Sequence, residues 1–244
     1  FALSENFVRL ARFVRISKPH PSQLSVTQVR KMSTADRSTK MRDRDVRTAV
    51  LKKVIADHVA DPSTLVIEEL GLEHGACRVD IAVVNGFLHG YELKSDSDTL
   101  SRLPLQIEAY SKVLDRATLI AGEKHINAAL NLLPDWWGIK VATRGPRGAV
   151  HIETIRPVSN NPSASPGHIA QLLWRDEVAA ILEGLGVEKK ALRTNRAGLY
   201  SLLTTVVSLV ELRQMVRERL KLREAWRRPV QRASHDDLLR HLAM

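Results

Sequence analysis

Cysteine is almost missing from this chain: Cys77 stands alone among 244 residues, which excludes an internal disulfide and any multi-cysteine zinc site. The nine histidines show no H-x₃-H or HExxH spacing, so a histidine-based zinc centre has no support either. No apolar run is long enough to span a bilayer, because the longest charge-free apolar stretch, residues 197–210, is short and interrupted by Ser and Thr. The first residues lack the uninterrupted apolar core and the small-residue cleavage site of a signal peptide. No internal repeat and no coiled-coil heptad is present. These absences predict a reducing, cytoplasmic compartment and no membrane partner.

What is present can build a core. At 44% hydrophobic over 244 residues, the chain has material for one domain with an appendage, or for two small domains. The formal net charge of +10 is unevenly placed: Lys and Arg outnumber Asp and Glu by 8 to 2 in residues 1–40 and by 15 to 9 in residues 156–244, whereas residues 41–155 hold 14 against 16. An acidic middle with basic flanks suits a carboxylate site that needs cations elsewhere to attract a phosphate backbone. Basic tails are also common on proteins that never meet nucleic acid. Residues 1–40 read as a basic arm or upstream segment whose order is open, since a more regular sequence begins at Met41.

Apolar residues at helical spacing predict a helix over residues 43–59 with Asp43 as its N-cap. After the Asp61-Pro62-Ser63 turn, residues 64–70 form a β-rich run. Strands follow at 78–84 and 88–94, flanking Asn85-Gly86, a strong hairpin signal. Residues 103–114 form a helix, dated by Pro104 in its first turn, with Leu103, Ile107 and Leu114 inward. A strand at 116–121, a helix at 123–133 and strands from Trp136 and at 149–155 complete a core spanning 41–158. Trp136 and Trp137 read as core. Residues 159–167, rich in Ser, Asn and Pro, read as a linker. Beyond it a basic helical unit, 168–244, is expected to hold three helices at 168–185, 197–207 and 209–226.

The charges of the middle stretch sit in unusual places. Asp80 lies inside the apolar run Val79 to Val84, where an unpaired carboxylate costs several kcal/mol. Glu92 and Lys94, two residues apart on one strand, share a face. A two-residue turn at Asn85-Gly86 would pair Asp80 with Tyr91 and turn it away from Glu92. Bringing the two acids together needs one extra residue in the hairpin, as a bulge at Gly90 or as a three-residue loop, Asn85 to Phe87, with the bulge preferred.

Asp80 in Arg78-Val79-Asp80, then Glu92-Leu93-Lys94 on the next strand, then Gln106-x-x-x-Tyr110 on the next helix, resemble the PD-(D/E)XK nuclease superfamily in its RecB-like branch. Val79 stands where the family name has Pro. The resemblance covers residues 42–145, and it is strongest to an uncharacterised family of short bacterial nuclease-like proteins. It implies a restriction-endonuclease-like α/β core, a central mixed sheet flanked by helices. It also implies Mg²⁺ or Mn²⁺ held by Asp80, Glu92 and the backbone carbonyl of Leu93. A further carboxylate is often supplied from the preceding element, and Glu69 is the candidate for it with Asp45 in reserve. Lys94 would orient water or neutralise the transition state, Gln106 would position water or phosphate, and Tyr110 would brace it. The implied function is metal-dependent cleavage of nucleic acid, DNA before RNA; the rival is a non-catalytic DNA-binding or adaptor protein. A homodimer stays open. In the tail, residues 213–232 hold eight Arg or Lys against two Glu. Arg213, Arg217 and Lys221 fall at four-residue steps, which makes them candidates for phosphate contact, while a salt-bridged packing face accounts for them equally well.

Overall fold

The computed structural model describes residues 40–223. The expected basic arm and the chain end beyond Arg223 lie outside these residues. Six strands form one mixed sheet in the order β1-β2-β3-β4-β5-β6. They are β1 Leu65–Leu72, β2 Cys77–Val84, β3 Leu88–Lys94, β4 Arg116–Gly122, β5 Gly138–Arg144 and β6 Val150–Arg156. The chain lays them down in spatial order. The β1–β2, β2–β3 and β5–β6 pairs are antiparallel, while β3–β4 and β4–β5 are parallel. Each parallel pair needs a crossover, and helices α3 Leu103–Val113 and α4 Glu123–Leu132 provide it. The central strand β4 is buried almost throughout, as a strand covered on both faces must be; edge strand β6 is largely open to solvent, with Val150 its one buried residue.

One sheet face packs on helix α1, Asp43–Lys53. Val46, Ala49 and Val50 of α1 cluster with Val66, Ile81, Val83, Tyr91, Leu93, Ile120 and Ala142. Each large aliphatic side chain so buried contributes about 1.5–3 kcal/mol. The helix expected over 43–59 is broken: α1 stops at Lys53, and α2, Ala56–Ala60, restarts after the β-branched pair Val54-Ile55. The break lets Ile55 turn fully into the core. The N-cap is Arg42, not Asp43. The opposite sheet face is covered by α3 and α4, with Tyr110, Leu114, Leu119, Trp136 and Trp137 buried, and Tyr110 stacked on Trp137 at 5.4 Å.

The described C-terminal part contains four helices, α5 Pro166–Ala170, α6 Arg175–Gly184, α7 Arg196–Val206 and α8 Leu209–Leu222. The helix expected over 168–185 is two, because Glu177 accepts the backbone N–H of Trp174 and caps a fresh start there. The segment read as a linker is anchored. Asn161 is buried and donates to the carbonyls of Ser111 and Leu114, and its own N–H donates to the carbonyl of Asp115. A side-chain amide with two donors can close the open end of α3 in this way, so Ser- and Pro-rich composition here marks an irregular but fastened crossing. Among the described residues no helix is long and apolar enough to cross a membrane.

Candidate active site

The hairpin between β2 and β3 sets the geometry of the site. Its ladder pairs Val84 with Leu88, Val83 with His89, Ala82 with Gly90 and Ile81 with Tyr91, so the loop has three residues, Asn85 to Phe87. One further step brings Asp80 level with Glu92. The extra residue sits in the loop and not in a bulge at Gly90. The Asn85 side chain accepts the Phe87 N–H at 3.1 Å and closes the turn. Gly90 is required for a different reason: a Cβ there would lie 2.5 Å from Leu114 Cδ1 and 3.0 Å from Val79 Cγ1.

Four of the five expected catalytic residues meet at one carboxylate. Glu92 is 1% exposed. Its Oε1 accepts from Lys94 Nζ at 2.5 Å and from Gln106 Nε2 at 2.7 Å, and its Oε2 accepts from the Tyr110 hydroxyl at 2.5 Å. Tyr110 Oη also lies 3.0 Å from the Arg78 carbonyl, but a phenol has one proton, and the shorter, charge-assisted contact takes it. Burial first, and Glu92 second, push the Tyr110 pKa well up, so the hydroxyl stays a donor. Gln106 must point its amide nitrogen at Glu92, since its oxygen would meet an acceptor. That choice leaves Gln106 Oε1 buried without a partner.

Asp80 completes the group from the neighbouring strand. Its Oδ2 accepts the Leu93 N–H at 2.8 Å, and its Oδ1 lies 3.8 Å from Arg47 Nη2. Burial, and then the negative charge of Glu92, raise its pKa to about 7; the Leu93 N–H, Lys94 and Arg47 pull the other way. The β1–β2 ladder pairs Glu68 with Ile81 and Leu70 with Val79 but skips Glu69 and Asp80. Glu69 there takes φ +56°, a left-handed conformation that costs a non-glycine residue about 1–2 kcal/mol. The irregularity frees Asp80 from the strand pairing beside the site.

Arg47, not foreseen from sequence, is the cation at this edge. It stands within 4 Å of four carboxylates: Asp43 at 3.5 Å, Glu68 at 3.3 Å, Glu69 at 3.5 Å and Asp80. Glu69 is held by Arg47 and Arg78 and is not bonded to the Glu92 group. Asp45, the reserve candidate, caps α1 through the Arg42 N–H and pairs with Arg144. Arg47 sits one helical turn after Asp43, a spacing too common to single it out.

Among the described residues no group of three or more His, Cys, Asp and Glu side chains is arranged to hold a metal ion. The donors at hand are nevertheless all hard oxygens: Asp80 Oδ1, the second lone pair of Glu92 Oε2, and the orphaned Gln106 Oε1. The Leu93 carbonyl leaves its strand on the same side as the N–H that meets Asp80, as both groups of a strand residue do. A buried carboxylate and a half-buried one that repel each other, with an unpartnered amide oxygen beside them, fit a small divalent cation such as Mg²⁺ or Mn²⁺ in donor chemistry.

The tail residues behave differently. Arg213 Nε lies 2.9 Å from Asp115 Oδ1, at an angle that makes the contact ionic rather than a hydrogen bond, and Arg217 Nη1 lies 3.3 Å from Oδ2. Asp115 also accepts the Leu88 N–H at 2.8 Å. Both arginines are thus turned inward, clamping α8 to the sheet. Lys221, in the last turn of α8, is half-buried. Leu212, Val216 and Leu220 form the expected buried stripe.

Comparison with known proteins adds three findings. Protein cII of Enterobacteria phage P4 is 27% identical over 84 residues, 34% of this chain and 31% of that protein, so the chain matches about a third of that relative's length. A solved protein of unknown function from Silicibacter pomeroyi aligns at 18% identity with a TM-score of 0.38, covering 60% of this chain and 92% of that one. The sequence description of bacteriophage P4 protein cII matches residues 36–242, most of the sequence, and the chain belongs to that family.

Proposed function

We propose that this protein is a metal-dependent nuclease that hydrolyses phosphodiester bonds in DNA, with Asp80, Glu92, Lys94, Gln106 and Tyr110 as its site. The observation that carries the reading is the convergence of Lys94, Gln106 and Tyr110 on Glu92, with Asp80 level with it on the adjoining strand. An ordinary sheet-edge ion pair accounts for Lys94 beside an acid, but not for a helix that directs a Gln and a Tyr one turn apart at the same carboxylate. The resemblance to the PD-(D/E)XK superfamily rests on the same residues in the same order.

A bound Mg²⁺ would supply a water acidic enough to attack at neutral pH and charge stabilisation of the phosphoryl oxygens. The residues divide the remaining work. Tyr110 and Gln106 fix the orientation of Glu92 by donating to it. Asp80, partly exposed beside Arg47, is the oxygen ligand open to solvent. Lys94 places a positive charge next to both acids, where it balances charge developing on a phosphate.

The second reading, a DNA-binding protein that does not cut, is favoured by one observation: Glu92 and Lys94 are 1% and 5% exposed. A nicking and degradation assay on circular, linear and single-stranded DNA with Mg²⁺ or Mn²⁺ separates the two. Cleavage by the parent and none by Lys94→Ala supports the enzyme. Binding without cleavage under every condition supports the binder.

A further inference from the structure

With Arg213 and Arg217 matched to Asp115, attraction for a polyanion has to come from other cations. The sheet face opposite Glu92 has a set of them. Register places His89 beside Arg116, Tyr91 beside Thr118, Ile120 beside Lys140 and Lys140 beside Thr154. Alternation along the strands then puts His89, Arg116 and Lys140 on the Tyr91 side, away from Glu92. Helix α1 covers part of this face. Near Arg116 and Lys140, Phe87, Thr154 and Asn160 are exposed.

Neither Arg116 nor Lys140 has a carboxylate partner among the described residues, unlike Arg47, Lys94, Arg213 and Arg217. Arg116 lies with its guanidinium 3.6 Å over the Phe87 ring and donates from Nε to Asn160 at 2.8 Å; its terminal amino groups have no partner among the described residues. Lys140 Nζ donates once, to Thr154 Oγ1 at 2.7 Å, and keeps two protons. The local field has a reporter in His89, whose ring is held by Thr118 at 2.9 Å. Burial and then Arg116, His58 and Lys140 lower its pKa to about 3, and no acid opposes them. Arg116 and Lys140 thus place positive charge on the side of the sheet where the His89 ring stands.

We infer that Arg116 and Lys140, on the face that also carries the His89 ring, form a binding surface for the phosphates of a single strand of nucleic acid. The chain's own ends do not match it in charge: residues 1–39 hold seven Lys or Arg against two acids, and residues 224–244 hold four against three. Register sets Lys140 level with Ile120, four residues beyond Arg116 on the neighbouring strand, so the two cations stand roughly 13 Å apart along the sheet at about 3.3 Å per residue, a span that suits a string of phosphates better than one small anion. Arg116 offers a planar fork matched to phosphate oxygens, and the exposed Phe87 beside it offers a ring on which a base can stack. The surface lies across the sheet from Glu92, so binding is independent of cleavage and needs no divalent cation.

The test is fluorescence anisotropy of a labelled single-stranded oligonucleotide on the full chain in EDTA, across a salt series. Arg116→Gln and Lys140→Gln are each expected to weaken binding and to lower the slope of log K against log salt by about 0.7 for each phosphate no longer neutralised. Arg116→Lys, which keeps the charge, is expected to retain most of the slope, which separates phosphate neutralisation from the Phe87 packing. In the free protein the His89 ring, followed by NMR, should titrate far below the ordinary histidine range, and bound oligonucleotide should raise its pKa. Unchanged slopes in both Gln variants overturn the inference. So does a His89 pKa that does not move on binding, or an affinity for polyglutamate equal to that for the oligonucleotide.

Discussion

Replacing Asp80 with Asn removes one of two neighbouring carboxylates while keeping an oxygen that can accept the Leu93 N–H. The carboxyl of Asp80 is raised from an ordinary 3.8 to about 7, by burial and then by Glu92. An acid shifted this way holds a proton in the folded state that the unfolded chain has already released. Stability therefore falls as pH rises from about 4 to about 7, and levels off above. At about 1.36 kcal/mol per pH unit the full effect is on the order of 4 kcal/mol, a ceiling that the 3.8 Å contact with Arg47 is already part of. Even about 1 kcal/mol of it would move a melting midpoint by about 2–4 °C in a domain of this size. Melting followed by circular dichroism between pH 5 and pH 8 should show Asp80→Asn more stable than the parent at pH 8, with the advantage shrinking towards pH 5. Added Mg²⁺ should raise the parent's midpoint and leave the variant's unchanged. An Asp80→Asn protein that is less stable than the parent at pH 8, with the same pH profile, would refute the reasoning: the carboxylate would then be a satisfied structural acid.

Glu92→Gln should act in the opposite direction. The sequence alone suggests that neutralising either acid relieves repulsion, but Glu92 is the acceptor for Lys94, whose side chain is 6% exposed, and stranding that charge costs about 3–5 kcal/mol, read as a lower urea midpoint. Asp115→Ala should cost a similar amount, because it leaves Arg213 and Arg217 without their counter-charge and the Leu88 N–H without its acceptor; Asp115→Asn, which can still accept from Leu88, should recover part of it. Gly90→Ala should destabilise by about 1–3 kcal/mol through overpacking against Leu114 Cδ1, and Leu114→Ala in the same chain should make the added methyl less costly than it is alone.

Local chemistry makes much of this protein legible. The order of strands and helices from residue 65 to residue 156 follows from alternation, from Pro104 in a first turn and from apolar runs, because each reflects a preference within a few neighbours. The α/β class, a mixed sheet flanked by helices with more helices after it, follows from that order. Asp80, Glu92, Lys94, Gln106 and Tyr110 are likewise visible as a sequence of chemical types on strand, strand and helix.

Other features depend on partners distant in sequence. Asn85-Gly86 speaks for a two-residue turn, and only the closure of the loop on Phe87 makes it three, bringing Asp80 level with Glu92. Gly90 reads as a bulge until Leu114 is packed against it. Arg213 and Arg217 look like a solvent-facing row until Asp115, about a hundred residues earlier, is placed beneath them. Arg47 and the unmatched cations around Arg116 carry no signal of their own, since a cation's role is set by which charges face it. Periodicity tells a residue's side of a helix or strand, but charge matching and burial are properties of pairs, and the pairs are made by the tertiary fold.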